Sequence, residues 1–147
     1  VPDVRNFLSS GTDVDVSELE RELKDLRQRV TDYSPITPVL AEILVGHVND
    51  RWRAAPFPPL APSTLYKRRK HGKGAQILQD TGRAIASVQG ANGPDWAGAY
   101  TDVSYMVYHA SDAPRSVIPL RNPFDVEEQA WPDLAEALGN FIVDSEG

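Results

Sequence analysis

The apolar positions of this chain first recur at helical spacing. Val16, Leu19, Leu23, Leu26 and Val30 fall three and four residues apart, and Glu18, Arg21, Glu22, Lys24, Asp25, Arg27 and Arg29 fill the positions between. The period predicts an amphipathic helix, opened by Ser17 and Glu20 as a capping box. A stripe this narrow serves either as a core face or as a seam for a partner helix, and a core face is the expectation. Ile36, Val39, Leu40, Ile43, Leu44, Val48 and Trp52 then trace a second helix with a broader apolar face. It starts at Ser34-Pro35 or Thr37-Pro38, each a capping residue followed by a proline. His47 lies on that face and is expected to be a hydrogen-bonded core histidine. Pro56, Pro58, Pro59 and Pro62 exclude regular helix from the crossing that follows. Pro62-Ser63-Thr64 restarts a short helix with Leu65 and Tyr66 inward.

After Gly82 the period shortens. Ala84, Ala86 and Val88 alternate with Ile85, Ser87 and Gln89, which predicts a strand. Asn92-Gly93-Pro94-Asp95 is a turn, and 96–103 reads as the returning strand. Residues 104–109 fit a strand or one helical turn, and 116–120 a third strand. Trp131-Pro132-Asp133 opens a terminal helix carrying Leu134, Leu138, Phe141 and Ile142. Tyr105, Tyr108 and Phe124 are expected beneath the sheet. The fold class is therefore α+β: two N-terminal helices and a C-terminal helix packed on a small antiparallel sheet, with a long basic loop. Residues 1–15 lack sustained periodicity and read as an N-terminal arm, leaving 16–147 as a single domain.

Composition narrows the chemistry. With 147 residues and no cysteine, the chain has the length of one domain and forms neither disulfides nor thiolate metal sites. It contains no apolar run of the ~18 residues a membrane span requires. Residues 1–10 lack the basic-then-apolar order of a signal peptide, so a cytosolic place of synthesis is expected. Fifteen Lys and Arg stand against 21 Asp and Glu, a net charge of −6. Five of those cations (Lys67, Arg68, Arg69, Lys70 and Lys73) crowd around Gly72 and Gly74 within the loop 67–73, so the remainder carries −11. Opposite charge segregated in this way suits subunits that meet head to tail. It also fits a small nucleic-acid-binding module using the loop, although such modules usually have a basic overall balance. A solvated turn is the plain alternative.

Catalytic patterns are weak. Asp102, Ser104 and His109 make a triad only by selection from common residue types. His47, His71 and His109 lack metal-ligand spacing. Gly72-Lys73-Gly74 lacks both the upstream glycine and the following Ser/Thr of a phosphate-binding loop. Glu127-Glu128 reads as a solvated helix start. No cofactor is implied and an enzyme is not expected. At the Asp80-Thr81-Gly82 corner, Gly82 is expected to take a backbone angle closed to side chains, with Asp80 and Thr81 accepting from free backbone N–H groups.

An ordered series of short motifs runs from Ile36 to Ile142. It comprises Trp52-Arg53, Pro59-Leu60 with Thr64, the basic loop and Ile77-Leu78-Gln79-Asp80-Thr81-Gly82-Arg83. Tyr105-Met106-Val107-Tyr108-His109 and Ile118-Pro119-Leu120-Arg121-Asn122-Pro123-Phe124 follow. The series resembles the Mu-like phage virion morphogenesis, or tail completion, family. Departures are Phe57 or Pro58 where a tryptophan is common, Ala84 for leucine, Met106 for alanine, Ala110 for glutamine, and an inserted Asn122. The resemblance implies a non-enzymatic virion protein of the neck or tail-completion layer. Its copies would form a cyclic ring, a hexamer by preference, against neck, connector or tail-tube proteins, with DNA passing through the lumen. It implies no membrane partner. Lys67, Arg68, Arg69, Lys70, Lys73 and Arg121 are the expected interface residues, Arg121 extending beside Pro119 and Pro123 to pair with a carboxylate of its own chain or of a neighbour.

Overall fold

The computed structural model describes residues 16–111 and 118–144. Along them run α1 (Ser17–Thr31), α2 (Thr37–Ala54), α3 (Pro62–Lys70), α4 (Arg83–Ala86), β1 (Gln89–Asn92) and β2 (Ala97–Tyr100). A 3-10 turn (Ser104–Met106), α5 (Val107–Ala110) and α6 (Glu127–Val143) complete the order. The two strands form one antiparallel sheet, so the chain is α+β with a small hairpin among helices. The arm 1–15 lies outside the described residues, as does the 116–117 part of the third strand; 118–120 are irregular.

α2 is central because its apolar face is broad. It begins at Thr37-Pro38, the later of the two expected starts. Ahead of it the Asp32 carboxylate accepts from the Ser34 N–H at 3.0 Å and the Ser34 hydroxyl at 2.6 Å, and these bonds hold its pKa below the ordinary value. Thr37 is buried, and its hydroxyl donates to the Gly93 carbonyl at 2.7 Å, tying the helix start to the hairpin turn. The hairpin sets Gln89 opposite Tyr100 and Asn92 opposite Ala97. It lies so close to α2 that a Cβ on Gly90 would stand 3.1 Å from that of Ala41.

The strand expected over 84–89 is corrected. Residues 83–86 form one helical turn and pairing begins only at Gln89. Adjacent strand residues point to opposite faces, yet Ala84 and Ile85 both pack on the same core, which a helical turn permits. The returning strand is likewise shorter, spanning Ala97–Tyr100. Residues 104–109 take the helical alternative, burying Met106 while Tyr105 and Tyr108 remain 43% and 66% exposed rather than filling the core. Tyr66, expected inward, is also exposed. The core joins Val48, Trp52, Ala84, Val103, Met106 and Val126. Phe124 meets Trp52 edge-on, 6.3 Å between centroids.

α6 opens at Glu127 rather than Trp131, with Pro132 inside it. Glu127 and Glu128 occupy its first turn, where the helix dipole favours acids. His47 is half-buried on α2 and meets Asp133 of α6 at 2.7 Å, a helix-to-helix contact rather than a core position.

α1 is the larger departure. Val16, not Ser17, occupies its N-cap position, with no side-chain cap bond there, so the expected capping box is absent. No α1 residue is buried, and Leu19 and Leu23 are 54% and 56% exposed. It meets the body through its polar side instead, with Arg29 alone half-buried. Asp25, Gln28, Arg29 and Asp32 share a cleft with Ala137, Asn140, Phe141 and Asp144, and the Arg29 guanidinium donates to the Asp144 carbonyl. The expectation of a core face is corrected: the apolar stripe faces solvent.

Candidate functional site

The basic segment is a helix end more than a loop. Pro62 sits in the first turn of α3, where a missing N–H costs nothing. Lys67, Arg68, Arg69 and Lys70 form the last turn, where carbonyl ends favour positive charge. The helix then closes by a Schellman motif. Gly72, at φ +65°, donates to the Arg69 carbonyl at 3.1 Å, and Lys73 donates to that of Arg68 at 2.8 Å. The His71-Gly72 pair after a cationic turn was the sequence signal for this stop.

The cations then divide. Lys67, Arg69 and Lys70 are exposed. Arg68 turns inward, with Nη1 donating to the Gln76 carbonyl at 2.6 Å and Nε 3.6 Å from Asp80. Lys73 reaches both Asp80 oxygens at 3.1 Å. Asp80 therefore braces the turn after α3 through its carboxylate instead of accepting from backbone N–H groups. Thr81 Oγ1 accepts from the Arg83 N–H at 3.4 Å, and Gly82 has φ +73°. The corner leads into α4, not into a strand. Leu78 also has a positive φ, +60°, a conformation costly for a side-chain-bearing residue.

Between α3, this corner and the 3-10/α5 turn lies a cavity of about 530 Å³. Thr64, Arg68, Asp80, Thr81, Gly82, Tyr105, His109 and Arg121 line it, with Leu60, Leu78 and Pro119 among the apolar walls. Motif residues far apart in sequence thus converge on one hollow.

Arg121 is corrected most. It is buried, and its partners are carbonyls: Nε donates to Pro58 at 3.0 Å and Nη2 to Pro59 at 2.8 Å. Its N–H donates to the His109 carbonyl at 2.9 Å. A proline-rich crossing has carbonyls to satisfy and few donors of its own, and a guanidinium supplies five N–H groups in one plane. Burial, and secondarily the charge of Arg68, push its pKa down. Arg121 therefore fastens the crossing to the segment before α6 rather than facing a partner. Asn122 adds a second tie that sequence reading missed. Its side-chain oxygen accepts from the Phe124 N–H at 2.9 Å and its carbonyl from Arg51 Nε at 3.0 Å.

Asp102 and Ser104 line a different surface recess from His109. Among the described residues no group of three His, Asp or Glu side chains is placed to hold a metal ion. No described helix is long and apolar enough to cross a membrane. The arrangement presents charge: three exposed cations on a braced helix end above an acidic body. No family model matches the chain, and no curated protein or solved structure matches it.

Proposed function

We propose that this chain is a structural subunit of the neck or tail-completion layer of a phage virion, forming a closed ring, a hexamer, that joins the tail to the head connector. The observation that supports this reading is the cationic end of α3. Lys67, Arg69 and Lys70 project from a helix whose stop is fixed by Gly72 and whose base is braced by Arg68, Lys73 and Asp80. The rest of the chain is strongly acidic, so one copy carries both halves of a head-to-tail contact. Repeated around an axis, the α3 ends make a positive collar pressed on an acidic neighbouring ring or protein. Replacing Lys67, Arg69 and Lys70 with serine removes the collar while leaving the internal brace intact. The variant is expected to fold normally and to fail in head-to-tail joining, with rings of wild-type protein visible in electron-microscopy class averages and those of the variant lost. The rival is a nucleic-acid-binding module. Phosphate binding gives a log–log salt slope of about −0.9 per contact. Submicromolar duplex binding with a steep slope, abolished by the same substitutions, overturns the ring reading.

A further inference from the structure

We propose that α1 is a self-pairing helix, its exposed stripe docking antiparallel on α1 of a second copy of this chain across a two-fold axis between Leu23 and Leu26. An amphipathic helix normally buries its apolar side on its own body. Here none of its residues is buried; α1 meets the body through the Arg29–Asp144 bond, while Val16, Leu19, Leu23, Leu26 and Val30 stay between 37% and 56% exposed. Their alternating three- and four-residue spacing places all five on one seam, as in a two-stranded coil. The 15 residues of α1 give a seam of about 22 Å at 1.5 Å per residue.

Charge selects both occupant and direction. The first half of α1 carries Glu18, Glu20 and Glu22 against Arg21; the second carries Lys24, Arg27 and Arg29 against Asp25. Antiparallel alignment lays the acidic half of one helix along the basic half of the other and opposes the two helix dipoles. With Leu23 opposite Leu26 and Leu19 opposite Val30, Glu20 of each copy flanks Arg27 of the other. Both are exposed. Arg29 is engaged with Asp144, so the complementarity rests on two symmetry-related Glu20–Arg27 pairs. A parallel pair would instead bring Glu22 beside Arg27 and set like helix ends together.

The test is sedimentation of the full chain across concentration. A dimer forming over about 1–100 µM is expected, because a single helix seam is small beside the interfaces of obligate dimers. Leu23→Glu should abolish it with the circular dichroism of the fold unchanged. Glu20→Arg and Arg27→Glu alone should each weaken association about tenfold, the work of two pairs turned repulsive at a few tenths of a kcal/mol each. The double reversal E20R/R27E should restore it. In a parallel pair the same double reversal sets a carboxylate at position 27 beside Glu22 and does not restore, which overturns the stated geometry. A chain that stays monomeric to about 1 mM overturns the proposal outright. The virion reading is unaffected by either result, since it rests on α3.

Discussion

Arg121→Met is the sharpest probe of the tie between the proline crossing and the segment before α6. Methionine keeps much of the arginine stem's volume and removes every donor. Arg121 makes two bonds to carbonyls, and a bond from a charged donor is worth about 1.5–3 kcal/mol. Two opposing effects shrink the sum. The buried guanidinium carries a desolvation cost, seen in its depressed pKa, that methionine does not. Pro58 and Pro59 are themselves exposed, so water can reach their released carbonyls. A net loss of about 2–3 kcal/mol is expected, a fall in Tm of about 4–12 °C for a chain of this size. Arg121→Lys retains the charge yet has no planar fork to reach both carbonyls, and should lose roughly half as much. Urea unfolding measures the total, and amide exchange at Thr64 and Leu65, whose N–H groups bond to the Ala61 carbonyl at the end of the crossing, locates it, since those amides should open before those of α2. A midpoint unchanged within about 0.5 kcal/mol, with unchanged exchange at the crossing, refutes the assigned role.

Other expectations follow from single contacts. Trp52→Ala, at the fully buried centre of the core, should destabilise the fold by about 3–5 kcal/mol in urea unfolding. Gly90→Val forces carbon against Ala41 and should cost about 1–3 kcal/mol, with Gly90→Ala milder and relieved by Ala41→Gly. Asp32 has a folded pKa below its ordinary 3.8, chiefly through the Ser34 hydroxyl, so its stabilising contribution is complete above the unfolded value and fades as pH falls through the lower folded one. In a carboxyl NMR titration Ser34→Ala should move the Asp32 midpoint upward; no movement refutes the cause. The chain has no cysteine, so Leu23→Cys with Leu26→Cys in one chain should cross-link the α1 pair on oxidation. The oxidised dimer should be excluded from rings and the reduced form readmitted, and equal incorporation of both would count against opening of the pair.

Much of the fold was legible because its period was strong. α2 combines a wide apolar face with Thr37-Pro38, and the hairpin turn at 92–95 is written in Asn, Gly and Pro. What failed was local signal overridden by context. Ala84 to Gln89 alternates in hydrophobicity, but small alanines pack equally well from one helical turn, and Gly82 supplies the left-handed entry to it. Pro132 suggested a helix start, whereas α6 tolerates it one turn further in. At the candidate site, the cationic cluster was visible but not its division. Arg68 and Arg121 turn inward for partners, Asp80, Pro58 and Pro59, that no periodicity reveals. The α1 stripe showed the opposite limit. Its heptad spacing predicts a buried face without saying whether its own body or another chain buries it.

That ambiguity bears on how the two proposed contacts coexist. A ring through α3 is heterologous: one patch meets a different patch, and the ring keeps two unlike faces. A pair through α1 is isologous, and its two-fold axis makes the joined objects equivalent. A ring that meets a head connector on one face and a tail on the other must remain polar, so no such axis can survive within it. In the proposed ring the α1 pair would therefore belong to subunits before assembly, and would open as they enter it. A seam of about 22 Å with two exposed charge pairs is suited to this. It is strong enough to cover the leucines in the free protein, where an uncovered apolar stripe invites aggregation. It is also weak enough to be displaced by the larger set of contacts that a ring neighbour and the adjoining layer supply together.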